Sequence, residues 1–234
     1  MAFAACSMIS ACHPWSQCKV VHFVRHAEAE SNAAAHQFPR DSAGYLAAYA
    51  DEQYFDSVLS EKGQAQCAEL QLEVQGLQYE AVVCSPLRRT LQTASLAFTD
   101  RSVPWLAVES AREFSEGHAR PCDHRRAKSA QAAGFGFVDF RQVPEGEDSF
   151  AARKESPEDV DSRCRQLLAL LAEMPQKSIA VVSHTGFLSR LFAHHLAWGS
   201  KAAFRNAELR SVVLCFEVKP PDSTLTPEPI WQAP

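Results

Sequence analysis

Two short apolar runs anchor the pattern of this chain: Lys19-Val20-Val21-His22-Phe23-Val24 near its start and Ser178-Ile179-Ala180-Val181-Val182 far downstream. Runs of this length, rich in Val and Ile and flanked by polar residues, predict strands of a parallel sheet buried on both faces. Glu80–Cys84, Trp105–Val108 and Ser211–Val218 read as further strands. Helical patterns fall between them. The alanine-rich stretch 31–57 is expected to be helical in part. Ser60 caps a helix with Ala65, Ala68 and Leu72 on one face. Ser85-Pro86 supplies an N-cap and a first-turn proline for a helix through Leu87, Leu91 and Ala94. Ser156-Pro157-Glu158-Asp159 opens the clearest helix, whose apolar stripe is Val160, Cys164, Leu167, Leu168 and Leu171. A further helix is expected over 186–198.

Glycines and prolines break any long period over 114–155, as in a lid or substrate-binding segment. Strands alternating with helices predict a three-layer α/β/α sandwich with a mainly parallel central sheet. The expected organisation is a loosely ordered extension over 1–18, one domain over 19–218 and a Pro-rich tail over 219–234 with no core-forming pattern.

Composition narrows the class. The chain has 234 residues, 46% apolar and 22% charged, as in ordinary globular domains. No apolar stretch approaches the ~20 residues that cross a bilayer. A net charge of −5 argues against nucleic acid or an anionic membrane as partner, while leaving room for a local cluster that binds a small phosphorylated metabolite. The eight cysteines are dispersed and form no C-x-x-C pair, which reads as mostly reduced thiols in a cytoplasmic protein. Cys6, Cys12 and Cys18 lack the spacing of a metal site, and the first 18 residues lack the basic residues of a targeting signal. No cofactor is implied.

Polar motifs follow four of the strands: Arg25-His26, Ser85-Pro86-Leu87-Arg88-Arg89, Arg112-Glu113 and His184. In open α/β sheets the carboxyl edge of the strands is where ligands bind. An arginine beside a histidine there suits an anion. The set fits phosphoryl transfer through a covalent phosphohistidine. A neutral imidazole is a competent nucleophile, provided that an acceptor on its other nitrogen fixes the tautomer. Arginines clamp the phosphoryl oxygens, the second histidine donates to them if protonated, and a carboxylic acid protonates the leaving alkoxide. His22, His194 and His195 read as structural or surface residues. Glu28 reads equally as a second carboxylate of the site or as a loop charge.

Arg25-His26-Ala27-Glu28 with Asn32, Leu59-Ser60-x-x-Gly63, Ser85-Pro86-Leu87-x-Arg89-x-x-Gln92-Thr93, Arg112-Glu113 and Ser183-His184-Thr185-Gly186 together resemble the histidine phosphatase superfamily, in its order. Gly117-His118-Ala119-Arg120-Pro121-Cys122-Asp123 and Asn206-Ala207-Glu208 are similar to a phosphoglycerate-mutase-like branch common in plants and fungi. The resemblance implies metal-independent hydrolysis of phosphate monoesters, with His26 as nucleophile. It also implies Arg25, Asn32, Arg89 and His184 as phosphate ligands and Glu113 as acid and base. Arg125 and Arg126 are candidate substrate contacts. Phosphoglycerate mutase-type transfer is the nearest alternative, though the residues after Glu113 depart from the mutase pattern. A catalytically weak phospho-ligand-binding protein is the other, and rests on Ala27, where the family carries Gly. A left-handed backbone there would cost Ala about 1 kcal/mol.

Overall fold

The structure is a computed structural model that describes residues 18–114, 120–146, 148, 154–196, 198, 202–216 and 229–230. The strands are β1 (Cys18–Arg25), β2 (Ala81–Cys84), β3 (Trp105–Ala107), β4 (Ser178–Ser183), β5 (Leu209–Phe216) and β6 (Pro229–Ile230). They form one sheet in the order β3-β2-β4-β1-β5-β6. The β1–β4, β4–β2 and β2–β3 pairs are parallel, while β5 runs antiparallel to β1 and to β6.

Alternation along the central strands builds two cores. Val21, Phe23, Val83, Ile179 and Val181 pack against α6 (Pro157–Glu173) and α7 (Thr185–Arg190). Val24, Val82, Cys84, Ala180 and Val182 face α3 (Glu61–Val74) and α4 (Arg88–Ala97) on the other side. With both faces covered, the central strands are largely apolar, with His22 of β1 bonded inside the sheet, and this produces the three layers. Two short helices, α1 (Glu30–Ala35) and α2 (Ala43–Tyr49), lie between β1 and α3, and α5 (Lys128–Gly134) lies within the irregular region. That region also holds a 3-10 turn at Pro121–Asp123.

Several elements differ from expectation for local reasons. Helix α3 turns Gly63, Cys67, Leu70 and Val74 inward and leaves Leu72 69% exposed, so Ala65, Ala68 and Leu72 are its solvent face. The apolar period of this helix is weak. Its inward face is set by Gly63, where an added Cβ would lie 2.0 Å from the Glu28 carbonyl oxygen. Helix α4 starts at Arg88, so Ser85 is not its cap; the Asp56 carboxylate accepts from the Arg88 amide at 2.9 Å. Beyond Arg190, α7 widens into a π turn over Leu191–His195. Arg190 and His195 there both reach Asp161, at 2.7 and 3.0 Å, and these bonds hold the Asp161 carboxyl down at about 2.

Cys18 and Cys215 are register partners across β1 and β5 and form a disulfide. Cys67, Cys84, Cys122 and Cys164 are free and buried. Spacing alone gave no sign of the bridge, because it depends on a strand pairing between distant residues. Residues 1–17, including Cys6 and Cys12, lie outside the described residues, as does the tail except β6, which adds a two-residue pairing where no element was expected. Among the described residues no helix is long and apolar enough to cross a membrane.

Gly63→Ala should lower stability by about 1–3 kcal/mol, because the new methyl must push the helix off the turn after β1. Gly76→Ala, whose Cβ would meet nothing within 4 Å, should change stability by under about 1 kcal/mol. Urea unfolding of the two variants checks this, and equal stabilities would contradict the close approach at Gly63.

Candidate active site

Parallel pairing brings four strand ends to within a residue of one level. Arg25 is the register partner of Ser183, and Cys84 that of Val182 and Ala107. The chain leaves β1 through His26, whose amide donates to the Ser183 carbonyl at 2.9 Å. It leaves β4 through His184, and the two imidazole centres lie 5.1 Å apart. Both rings are buried.

Arg89, in the first turn of α4, joins them. Its Nε donates to His26 Nε2 at 3.2 Å and its Nη2 to His184 Nδ1 at 3.0 Å. Nη2 also pairs with Asp123 Oδ1 at 2.8 Å, and Nη1 donates to the Cys122 carbonyl. A guanidinium can only donate, so both imidazole nitrogens facing it are unprotonated. The proton of His26 then sits on Nδ1 and is donated to the Ala27 carbonyl at 2.7 Å. That of His184 sits on Nε2, 2.8 Å from the Ser85 hydroxyl. Burial, then Arg89 and Arg25, push the His26 pKa well below its ordinary value. Burial and Arg89 do the same to His184. His184 therefore turns an unprotonated nitrogen toward Arg89, which already supplies the positive charge there. Burial works against the charge of Arg89 itself, but Asp123, with Cys122 and Glu113 behind it, outweighs burial and the pKa is raised.

Arg25 donates through Nη1 to the Phe204 carbonyl at 2.8 Å, while its buried Nε has no hydrogen-bond partner. An unsatisfied buried donor beside Arg89 is the kind of group that an oxyanion would satisfy. Glu113 follows a 3-10 turn, Glu109–Ala111, after β3. Its Oε1 accepts from the Phe114 and Phe187 amides at 2.8 and 3.1 Å. Burial and then Asp123 raise its pKa against the pull of those amides and Arg89. Gly186 makes room for this carboxylate, since a Cβ there would lie 2.6 Å from Glu113 Oε1.

The other sequence candidates are placed elsewhere. Asn32 accepts from the Ala29 amide at 3.1 Å and donates to the Tyr49 hydroxyl at 2.9 Å, which commits its amide to the start of α1. Arg125 is buried in an ion pair with Glu109 at 2.6 Å and donates to the Arg126, Pro144 and Gly146 carbonyls, so it locks the loop around it. Arg126 is exposed, and its amide bonds Asp56. Glu28 is held by Ser60 at 3.0 Å and Lys62 at 2.9 Å, a role at the start of α3. His22 bonds Ser211 and Ser178 within the sheet. Asn206 donates to the His26 carbonyl at 3.1 Å, in a turn where Ala207 takes a φ of 57°. Ala27 is not among the positive-φ residues; its amide donates to Thr93 at 3.0 Å. The methyl packs with Leu59 and Cys67, so the sole argument for a pocket without turnover loses its basis.

Asp123 is the functional neighbour that sequence reasoning missed. It stands in the quoted Pro121-Cys122-Asp123 run, but no periodicity ties that run to α4. His118 lies outside the described residues. Among the described residues no group of three His, Cys, Asp or Glu side chains could hold a metal ion.

Comparison with known proteins bears on the fold and the family. A phosphoglycerate mutase-like protein of Arabidopsis thaliana is 32% identical over 243 residues, covering 86% of each chain. An adenosylcobalamin/alpha-ribazole phosphatase of Salmonella typhimurium is 31% identical over 185 residues, covering 74% of this chain and 77% of that one. The ecdysone phosphate phosphatase of Bombix mori superposes with a TM-score of 0.55 at 15% identity over 92% of each chain, a likeness of fold. Residues 21–217 match the histidine phosphatase superfamily (branch 1), and the chain belongs to that family.

Proposed function

We propose that this protein hydrolyses small phosphate monoesters, without a metal ion, through a phosphohistidine formed on His26. The observation that carries the reading is the unprotonated Nε2 of His26, held neutral by burial and aimed at the Arg89 guanidinium. The nucleophile and the anion clamp already touch.

A phosphoryl dianion entering beside Arg89 takes over the Nε–H that now points at His26 and satisfies the orphaned Nε–H of Arg25. His26 Nε2 then attacks phosphorus while the Ala27 carbonyl steadies the positive charge developing on the ring. The P–O bond breaks. Glu113, whose raised pKa favours the protonated form, gives its proton to the leaving oxygen. Water attacks the phosphohistidine next, with the Glu113 carboxylate accepting a proton, and inorganic phosphate leaves with His26 restored. His184 takes up a proton on Nδ1 once the dianion adds negative charge beside it, and donates that N–H to a phosphoryl oxygen.

The Salmonella relative is named a phosphatase and the Arabidopsis relative mutase-like. Hydrolysis is favoured because the residues after Glu113 depart from the mutase pattern. The alternative is phosphoglycerate mutase-type transfer, which conversion of 3-phosphoglycerate to its isomer would reveal. Arg126, exposed beside the Asp56 contact, is a proposed contact for the rest of the substrate, with Arg125 supporting its loop. Asn32 is proposed to act on the phosphate site through Tyr49. A cytoplasmic location accords with the four buried thiols, whereas the Cys18–Cys215 bridge argues for a less reducing setting.

His26→Ala should abolish p-nitrophenyl phosphate hydrolysis and the alkali-stable phosphoenzyme formed from labelled substrate. Excess chelator should leave the wild-type rate unchanged. Turnover by His26→Ala, or loss on chelation restored by a divalent metal, would overturn the mechanism.

The buried histidines also make stability depend on pH. His26, His184 and His22 all have lowered pKa values in the fold, whereas in the unfolded chain each returns to about 6.5. Below about pH 6.5 the unfolded chain therefore binds more protons, and each histidine removes up to about 1.4 kcal/mol of stability per pH unit. Glu113 and Asp56 oppose this, since burial makes each bind its proton more readily when folded, but they are two groups against three. Urea midpoints should fall from pH 7.5 to 5.5, and fall less in His184→Asn. A flat profile would show that the histidines are charged in the fold.

A further inference from the structure

The chain reaching Glu113 belongs to no strand ladder, so its peptide carbonyls need other donors. Those donors come from two side chains. Ser183 Oγ donates to the Ala111 carbonyl at 2.7 Å. Arg163, on α6, donates through Nη1 to the Ser110 carbonyl at 3.1 Å and the Arg112 carbonyl at 2.8 Å, and through Nη2 to the Glu113 carbonyl at 3.2 Å. Its Nε and Nη2 also pair with the two Glu155 oxygens at 2.7 Å each.

These contacts engage all five guanidinium N–H bonds. A lysine ammonium has three donors on a tetrahedral centre and cannot span the same set. The guanidinium carbon also lies 5.1 Å from the centre of the Phe187 ring, and the Phe187 amide is one of the two that grip Glu113 Oε1. Arg163 thus holds the main chain of Glu113 and packs on the residue that orients its carboxylate. Arg163 and Glu155 are both buried. Charged groups so placed are costly to bury, and an apolar pair would serve stability as well.

We propose that Arg163 is a positioning residue for proton transfer, setting the aim of the Glu113 carboxyl toward the leaving oxygen. The inference rests on the reading of Glu113 as the general acid. A guanidinium that served only to fix α6 to the sheet would leave all substrates equally affected. One that aims a proton donor matters most where the leaving group needs the proton.

The test is the single-turnover rate of enzyme phosphorylation by phenyl phosphate and by p-nitrophenyl phosphate, whose phenolate is the better leaving group. The proteins are wild type, Glu113→Gln, Arg163→Lys and the apolar double variant Arg163→Met with Glu155→Met, which removes both charges of the buried pair. Glu113→Gln should slow phenyl phosphate by about 100-fold and p-nitrophenyl phosphate far less. The Arg163 variants should show the same selectivity at about tenfold, and combining them with Glu113→Gln should add no further selective loss. Should the double variant fail to fold, Arg163→Lys carries the comparison, because it keeps a charge against Glu155. Equal losses for both esters in the Arg163 variants, beside a selective loss in Glu113→Gln, would overturn the positioning role alone. Equal losses in Glu113→Gln itself would overturn the role of Glu113, and this inference with it.

Discussion

The Arg89 guanidinium is the charge on which the site is built. It is buried, and it touches His26, His184, Asp123 and the Cys122 carbonyl at once. A buried cation is tolerable only when its donors are satisfied and a counter-charge is near, and Asp123 provides that charge. Two consequences follow. Each histidine must turn a bare nitrogen toward Arg89, and neither gains by taking a proton beside it. Tautomer and alignment of the nucleophile thus derive from one contact set, which adds to burial in keeping the ring neutral. The same set leaves a substrate dianion something to exchange, because it brings more negative charge than Asp123 alone.

Around this charge the backbone is held by hydrogen bonds that cross between elements. Thr93 takes the Ala27 amide and donates to the Arg89 carbonyl at 2.7 Å, which ties the turn after β1 to α4. Gln92 accepts from the Leu59 amide at 2.9 Å, and Asn206 holds the His26 carbonyl. Arg112 reaches the Asp123 carbonyl and so fixes the partner of Arg89 to the segment that carries Glu113. Missing side chains matter as much: Gly63 admits the Glu28 carbonyl and Gly186 admits the Glu113 carboxylate. A site on strand ends is stiff when its loops are tied in this way.

Much of this was legible in the sequence where local chemistry decides. The central strands, the capped start of α6 with its Ser156–Asp159 box and the apolar stripe of that helix all follow from period and cap residues. His26, Arg89, His184 and Glu113 were readable because each follows a strand, and parallel pairing brings strand ends together. What could not be read depends on distant pairings. The inward face of α3 is chosen by Gly63 meeting Glu28, and the Asp56 cap of α4 comes from 32 residues earlier. Asp123 and Arg163 are single charged residues in unremarkable local sequence. Arg125 looked like a substrate contact because its buried partner, Glu109, lies 16 residues away.

The central claim is that burial, reinforced by Arg89, holds His26 neutral, and that Arg89 fixes its proton on Nδ1 and a lone pair on Nε2. Nitrogen-15 NMR of histidine-labelled protein, with His26→Ala to assign the resonance, reads this directly. The account predicts that His26 keeps the Nδ1–H tautomer and does not titrate between about pH 5 and 8, where a free imidazole would. An imidazole that carries its proton on Nε2, or that titrates near its ordinary value, would contradict the account.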